Sequence, residues 1–564
     1  MQNEAAINPH TACPCQRLVH LNDSLELVES VRQAKLNSQT NHDSIIAATA
    51  PTLSKPNPSP ELLNLQRFDR HALKAKIRES QKIIHEHVAA INAEIEPRTQ
   101  AHNRKSSCET VEDEQGFRSD IVGAQIKAWK NLLPKLIKDF SKIPDPRRTK
   151  SIKHTLTVLM AFGLFAFIFR LTSRREMNRE LTGPLIHEHL QRMFPEITSI
   201  PHADTLARLL EKINPKHIEA AQINLIKKLI KKKKFKKLLI NGCLPVTVDG
   251  TQKLYRDGLL QDAKWCERHV GKPEDENMQQ YIYVIEANIT LQNGLTIPLM
   301  TEYLYRENNV LLEPDGKQDS ETTAFERMAE RIKEYFPRLK IIFFMDAMYA
   351  TQGVMGLLHK NHWEYIIRLP KAKLTGFANL INNEKKYGIP IPGQSAFRKR
   401  DQEFHWVNNI IYGYEYQLNI NLVSCVEHYY ETNNETGDVE DKYSEHAWIS
   451  SIRINILNVH ELLNLGARKK ELIEDSNNTE KNRGYSYKHA FSYDWNAMQG
   501  FHYLMRLGHA INAISEFTKT LKRFVRELGV SATLKLIKET LFSPWLPLEW
   551  YDAETQKEAQ LQLE

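Results

Sequence analysis

Three acidic residues stand where a sheet protein could use them for chemistry. Asp249 follows the β-branched run PVTV and Asp346 follows the apolar run KIIFFM, so each is predicted to lie at the end of a strand. Each also has an ordinary reading: Asp-Gly at 249–250 makes a turn, and an Asp between strand and helix caps the helix. Together they suggest more, because strand ends of α/β sheets gather ligand-binding groups. Two carboxylates held close on neighbouring strands repel one another unless a cation lies between them, and hard oxygen donors suit Mg2+ or Mn2+. Glu474, in KKELIEDSNNTEKNRGY, is the third. If that segment is helical, Lys470, Glu474 and Lys481 fall near one face, and a carboxylate between two ammonium groups suits a site beside phosphates. The alternative is an exposed helix with i,i+4 ion pairs, and Ser476-Asn477-Asn478-Thr479 is poor helix-forming material.

The elements that must position these residues change character along the chain. Residues 1–60 are rich in Asn, Ser, Thr and Pro and are predicted to be a disordered leader. Residues 61–120 read as one long helix from Glu61 to Glu96 and a polar linker near 98–120. Only helical signals occupy 121–240, among them an apolar run from Thr155 to Phe169, too short for the ~20 residues that cross a bilayer. Asp204 is a candidate cap for a stripe of Leu206, Leu209, Leu210 and Ile213. This region ends in IKKLIKKKKFKKLLI, either a solvated helix face or a phosphate-contacting cluster that includes Lys232 and Lys233.

After residue 240 strands alternate with helices. LPVTV is a short strand, and YIYVIEANITLQNGLTIPLMTEYLY is a hairpin closed by a type I′ turn at Asn293-Gly294. SETTAFERMAERIKEYF is an amphipathic helix, and LKIIFFM and WEYIIRL are further strands of a mixed α/β sheet. The stretch 372–450 is mostly β, with Tyr416, Leu418, Ile420 and Leu422 alternating against polar residues. Helical pattern returns near 459 and persists to the C-terminal region.

With 564 residues the chain has room for roughly three or four domains. Its 41% apolar content can supply a core for each, and the formal charge is +7. The six cysteines are scattered and only Cys13 and Cys15 are close, so neither a disulfide framework nor a zinc site is expected. The N-terminus lacks the order of a secretory signal, which makes a reducing cytoplasm the expected location. No Walker-type phosphate loop occurs, so no nucleotide cofactor is expected.

The combination resembles a bacterial insertion-sequence DDE transposase whose ribonuclease-H-like core is interrupted by a β-rich insertion. Four pieces carry the likeness: Asp249-Gly250-Thr251; the Lys317-Gln318-Asp319-Ser320-Glu321 segment; Asp346-Ala347-Met348-Tyr349-Ala350 with Trp363 to Arg368 downstream; and Ile473-Glu474-Asp475 leading to Lys481-Asn482-Arg483-Gly484-Tyr485. The family pattern around the glutamate also has a Tyr and an Arg, where this chain has Ala467 and Lys470. An ammonium meets a phosphate as a point charge and cannot grip it bidentately.

The resemblance implies an α/β fold: helical DNA-binding region 121–240, core 241–371 and 451–490, β insertion 372–450, and helical C-terminal region 491–564. It implies that Asp249, Asp346 and Glu474 hold two Mg2+ ions, for which Mn2+ substitutes, in nicking transposon ends and joining the freed 3′ ends to target DNA. Lys470, Lys481 and Tyr349 are implied to contact DNA, and Trp406 or Trp448 to stack on a flipped base unless both are core residues. His489 and Tyr485 either line the cleft or are structural. A homodimer on double-stranded DNA, carrying terminal repeats and target, is the implied assembly in the bacterial cytoplasm, associated with the nucleoid when bound. Two other functions remain open: a catalytically inactive DNA-binding relative, and a stand-alone metal-dependent nuclease.

Overall fold

The computed structural model describes residues 106–257, 265–270, 278–304, 319–369, 394–395, 400–413, 417–432 and 439–564. All of them belong to one of the two units into which the chain divides, Ile95–Glu564. The leader, the helix over 61–96, Cys13 and Cys15, Lys317 and Gln318, Tyr416, and residues 372–393 of the β-rich stretch lie outside the described residues.

Helix α1 (Val111–Phe140) begins inside the stretch expected to be a linker. The Thr110 hydroxyl accepts from the Asp113 amide, the Asp113 carboxylate accepts from the Thr110 amide, and three acidic residues occupy the first turn. This capping box, with acids at the positive helix end, starts the helix before its apolar stripe begins. The run from Thr155 forms α2 (Leu156–Ile168), capped by the Thr155 hydroxyl and almost wholly buried. No helix among the described residues is long and apolar enough to cross a membrane.

Helices α3 (Arg174–Leu181), α4 (Pro184–Met193), α5 (Ala203–Leu210) and α6 (Lys216–Lys231) follow. The cap of α5 is His202, whose ring nitrogen accepts from the Asp204 amide, while Asp204 lies in the first turn paired with Arg174 at 3.2 Å. The predicted stripe of Leu206, Leu209, Leu210 and Ile213 is buried.

Among the described residues ten strands form one mixed sheet: β1 (Leu244–Asp257), β2 (Cys266–His269), β3 (Met278–Thr290), β4 (Thr296–Tyr303), β5 (Ile341–Met345), β6 (Glu364–Leu369), β7 (Gln394–Ser395), β8 (Arg400–Tyr412), β9 (Leu418–Thr432) and β10 (Val439–Ser450). Their order is β2-β3-β1-β5-β6-β10-β9-β8-β7, with β4 on β3. β1, β5 and β6 are parallel, joined through α7 (Glu321–Tyr335) and α8 (Gln352–Lys360), and the remaining pairs are antiparallel. The β-rich stretch extends this same sheet, because β10 pairs with β6.

The β3–β4 turn is not type I′, since Gly294 adopts positive φ and Asn293 does not. Leu291 and Leu295 close a three-residue loop, and the Asn293 side chain accepts from the Leu295 amide. One left-handed position, filled by glycine, is what such a loop needs.

Helices α9 (Glu471–Asn482), α10 (Trp495–Glu516), α11 (Lys519–Leu528), α12 (Val530–Leu541) and α13 (Leu548–Gln556) complete the chain. α10 packs on α2 and on β4, so one apolar core runs from the helical region into the sheet. A second apolar cluster joins Phe344 and Ile366 of the parallel strands to Phe404, Trp406 and Trp448 and to the segment from Ile454 to Ala467.

Candidate metal and DNA site

β1 and β5 pair in parallel with Val246 opposite Phe343 and Thr247 opposite Phe344, and the same register continued brings Asp249 level with Asp346. Asp346 leaves the end of β5, as expected. Asp249 does not end its strand: β1 runs on to Asp257, with Gly250 paired to Ile285, so Asp249-Gly250 is not a turn.

Between the two aspartates lies the ammonium of Lys470, 3.6 Å from Asp249 Oδ1 and hydrogen-bonded to Asp346 Oδ2. Lys470 is delivered by an unusual backbone. A π-helical turn (Glu461–Gly466) passes into a 3-10 turn (Ala467–Lys470) and then into α9. Gly466 permits this, since a Cβ there would collide with the Phe344 ring on β5, two residues before Asp346. π turns inside helices often mark functional positions.

α9 forms despite Ser476-Asn477-Asn478-Thr479, because Ile473, Ser476, Asn477 and Glu480 are buried and tertiary packing outweighs weak propensity. Asn477 Nδ2 approaches Asp249 Oδ2 at 3.5 Å, and Lys481 donates to the Thr251 hydroxyl two residues beyond Asp249. Glu474 is exposed on the same helix and lines one cavity with Asp346, Lys470, Arg368, Arg468 and Trp448. Burial pushes the Asp249 acid up to about 6; Lys470 opposes this, while Asp346, Glu474 and Glu321 add to it.

Among the described residues no group of three His, Cys, Asp or Glu side chains converges tightly enough to hold a metal ion as placed. The donor chemistry nonetheless fits a hard divalent cation, since carboxylate oxygens of Asp249 and Asp346 already share one cation, the Lys470 ammonium.

A second charged cluster braces α9. Glu480 receives Arg506 Nη1 at 3.1 and 3.2 Å and pairs with His509 Nδ1 at 2.6 Å. Arg506 Nη2 reaches Glu286 at 3.0 Å and donates to Asn288 at 2.7 Å, both on β3. Glu286 also accepts from Tyr487 at 3.0 Å and Thr301 at 2.6 Å. Lys253 donates to the Tyr487 carbonyl at 2.9 Å. All these groups are buried. Although burial acts to raise the Glu480 acid, Arg506 and His509 bring it down to about 2.

Other predicted site residues lie elsewhere. Tyr349 is 1% exposed and donates its hydroxyl to Glu321, so it offers no surface to DNA. Trp406 and Trp448 both oppose Val423 across β9 and are buried; Trp448 stacks on His446 and borders the cavity, whereas Trp406 is core. Tyr485 is buried, with its hydroxyl accepting from Asn512, and His489 is exposed, its ring against that of Phe491.

The lysine run is not one helix face, because α6 ends at Lys231. Lys227 lies over Tyr335, Lys228 donates to the Asn131 carbonyl and Lys234 to that of Leu561. Lys232 and Lys233 are exposed, but they precede β1, and Leu244 to Asp249 alone spans roughly 17 Å.

Asn477 was missed by sequence reasoning, although its i+3 spacing from Glu474 signals a shared helix face. Comparison with known proteins adds one positive finding. No curated protein matches the chain. Residues 137–226, the last turn of α1 through most of α6, match the DDE_Tnp_1-associated family, which points to a protein of the transposase kind.

Proposed function

We propose that this chain is a DNA transposase that cuts transposon ends and joins their 3′ ends to target DNA, using a ribonuclease-H-like core built on β1, β5 and β6. The observation that carries the reading is the pair Asp249 and Asp346, level on adjacent parallel strands with the Lys470 ammonium between them and Glu474 on α9.

Asp249, Asp346 and Glu474 would hold two Mg2+ ions, with Mn2+ as substitute; these supply activation of a water or 3′-hydroxyl and stabilisation of the leaving oxygen. Lys470 and Lys481 neutralise phosphate charge at the scissile position. Lys470, which pairs with both aspartates, would be the group to turn to a phosphate oxygen once those carboxylates held the cation. Asn477 holds Asp249 in place, and α9 keeps Glu474 at the cavity mouth. Cutting two ends requires two such sites, hence a homodimer on DNA, and the β8–β10 region is the β-rich insertion.

Lys470 also favours a second reading, an inactive DNA-binding relative, because its ammonium already satisfies both aspartates. The experiment is to incubate the purified chain with Mg2+ and a labelled duplex carrying the DNA that flanks its own gene. Nicking at a defined end followed by joining of the freed 3′ end supports the transposase. Asp249→Asn, Asp346→Asn and Glu474→Gln should each abolish cleavage and retain binding. Nicking without joining would mean a nuclease, and binding without nicking an inactive relative.

A further inference from the structure

Glu321 is the first residue of α7, whose cap is the Ser320 hydroxyl. Both of its carboxylate oxygens are held: Tyr283 on β3 donates to Oε1 at 2.7 Å, and Tyr349 donates to Oε2 at 3.3 Å. Tyr349 belongs to the short turn that follows Asp346, and Tyr283 stands opposite Gln252 of β1. The carboxylate also lies directly over Gly250, where any Cβ would collide with it. One side chain is therefore tied to the strand bearing Asp249, to the neighbouring strand, and to the turn bearing Asp346.

A docking role alone does not call for a charge. Glutamine could also meet both phenols, accepting from one and donating to the other, and would place no negative charge beside Asp249. Burial and Glu321 itself hold both tyrosines well above the usual phenol range, so they remain donors to the carboxylate. A second negative charge fixed beside Asp249 is favourable when a cation is shared between them.

Resting on the metal-site reading above, we propose that Glu321 is a fourth carboxylate of that site, gripping the hydration shell of the divalent cation bound by Asp249 and Asp346. Mg2+ and Mn2+ at oxygen sites keep several waters, so a carboxylate one water away still contributes. Tyr283 and Tyr349 are positioning residues that aim it.

The test is Mn2+ binding to the full chain without DNA, read as loss of the free-ion signal in electron paramagnetic resonance, with thermal unfolding followed in parallel. Glu321→Gln should lower Mn2+ affinity by about tenfold, the usual effect of losing an outer ligand-shell partner, at nearly unchanged unfolding temperature. Tyr283→Phe with Tyr349→Phe keeps the charge but loosens it, and should lower affinity by a smaller factor. Wild-type Mn2+ affinity in a folded Glu321→Gln chain overturns the proposal and leaves Glu321 a helix-docking residue. Should Glu321→Gln not fold, unchanged affinity in the tyrosine double variant overturns it instead. Failure of the wild-type chain to bind Mn2+ at all would remove the metal site itself, an outcome distinct from both.

Discussion

Asp249 and Glu286 are register partners on β1 and β3, yet their surroundings differ in kind. Around Glu286 and Glu480 the buried negative charge meets Arg506 and Lys253, with hydroxyls and histidines completing the shell. Around Asp249 three further carboxylates, Asp346, Glu474 and Glu321, crowd a site where Lys470 is the ammonium between the aspartates. Burial acts to raise both acids, but Glu480 ends near 2 and Asp249 near 6. The first cluster is complete within the protein and fixes α9 to the sheet. The second gathers four carboxylates about the Lys470 ammonium, the arrangement on which the proposed cation site rests.

Breaking the complete cluster should have the largest effect. Arg506→Ala strands two buried carboxylates and should destabilise the fold by about 3–5 kcal/mol, measured by urea unfolding. A stability loss under about 1 kcal/mol would mean the cluster is not the brace described.

Acidification gives the next effect. Burial holds His502 and His446 down at about 4, so each stays neutral in the folded chain while its unfolded counterpart takes a proton. Stability should therefore fall as pH drops from about 6.5 to 4, by on the order of 2 kcal/mol per histidine. Glu480 adds a further loss as pH falls from about 4.5 to 2, because its folded acid is depressed. Asp249 has the opposite sign: its raised acid costs stability as pH rises from about 4 to 6. Asp249→Asn should accordingly stabilise the metal-free chain at neutral pH by about 1–2 kcal/mol. Urea midpoints across pH for wild type, His502→Gln and Asp249→Asn separate these contributions, and destabilisation by Asp249→Asn would contradict the contrast.

The smallest effect is expected far from either cluster. Lys232→Ala with Lys233→Ala should weaken DNA binding and flatten its salt dependence without changing stability. An unchanged salt slope would make these lysines a solvated surface.

Much of this was legible in the sequence where local patterns act alone. The run from Thr155, the Leu206 stripe and the apolar strand before Asp346 formed as their periodicity predicted. What was not legible depends on distant contacts. β1 continues past Asp249-Gly250 because β3 pairs with it and Glu321 needs the space over Gly250. Tyr349 looked available for DNA because nothing local reveals Glu321 as its partner. α9 crosses a poor helix-forming stretch because its buried face is held by the Glu480–Arg506 pair, and Arg506 lies on another helix, out of reach of any local pattern.

The most direct test of the contrast is urea unfolding of the wild-type chain and Asp249→Asn, each with and without Mg2+. Mg2+ should raise wild-type stability by mass action and leave Asp249→Asn unmoved, so that the variant is the more stable without the ion and loses that advantage with it. A wild-type chain indifferent to Mg2+, or a variant that responds equally, would contradict the claim that the Asp249 site is built to receive a cation.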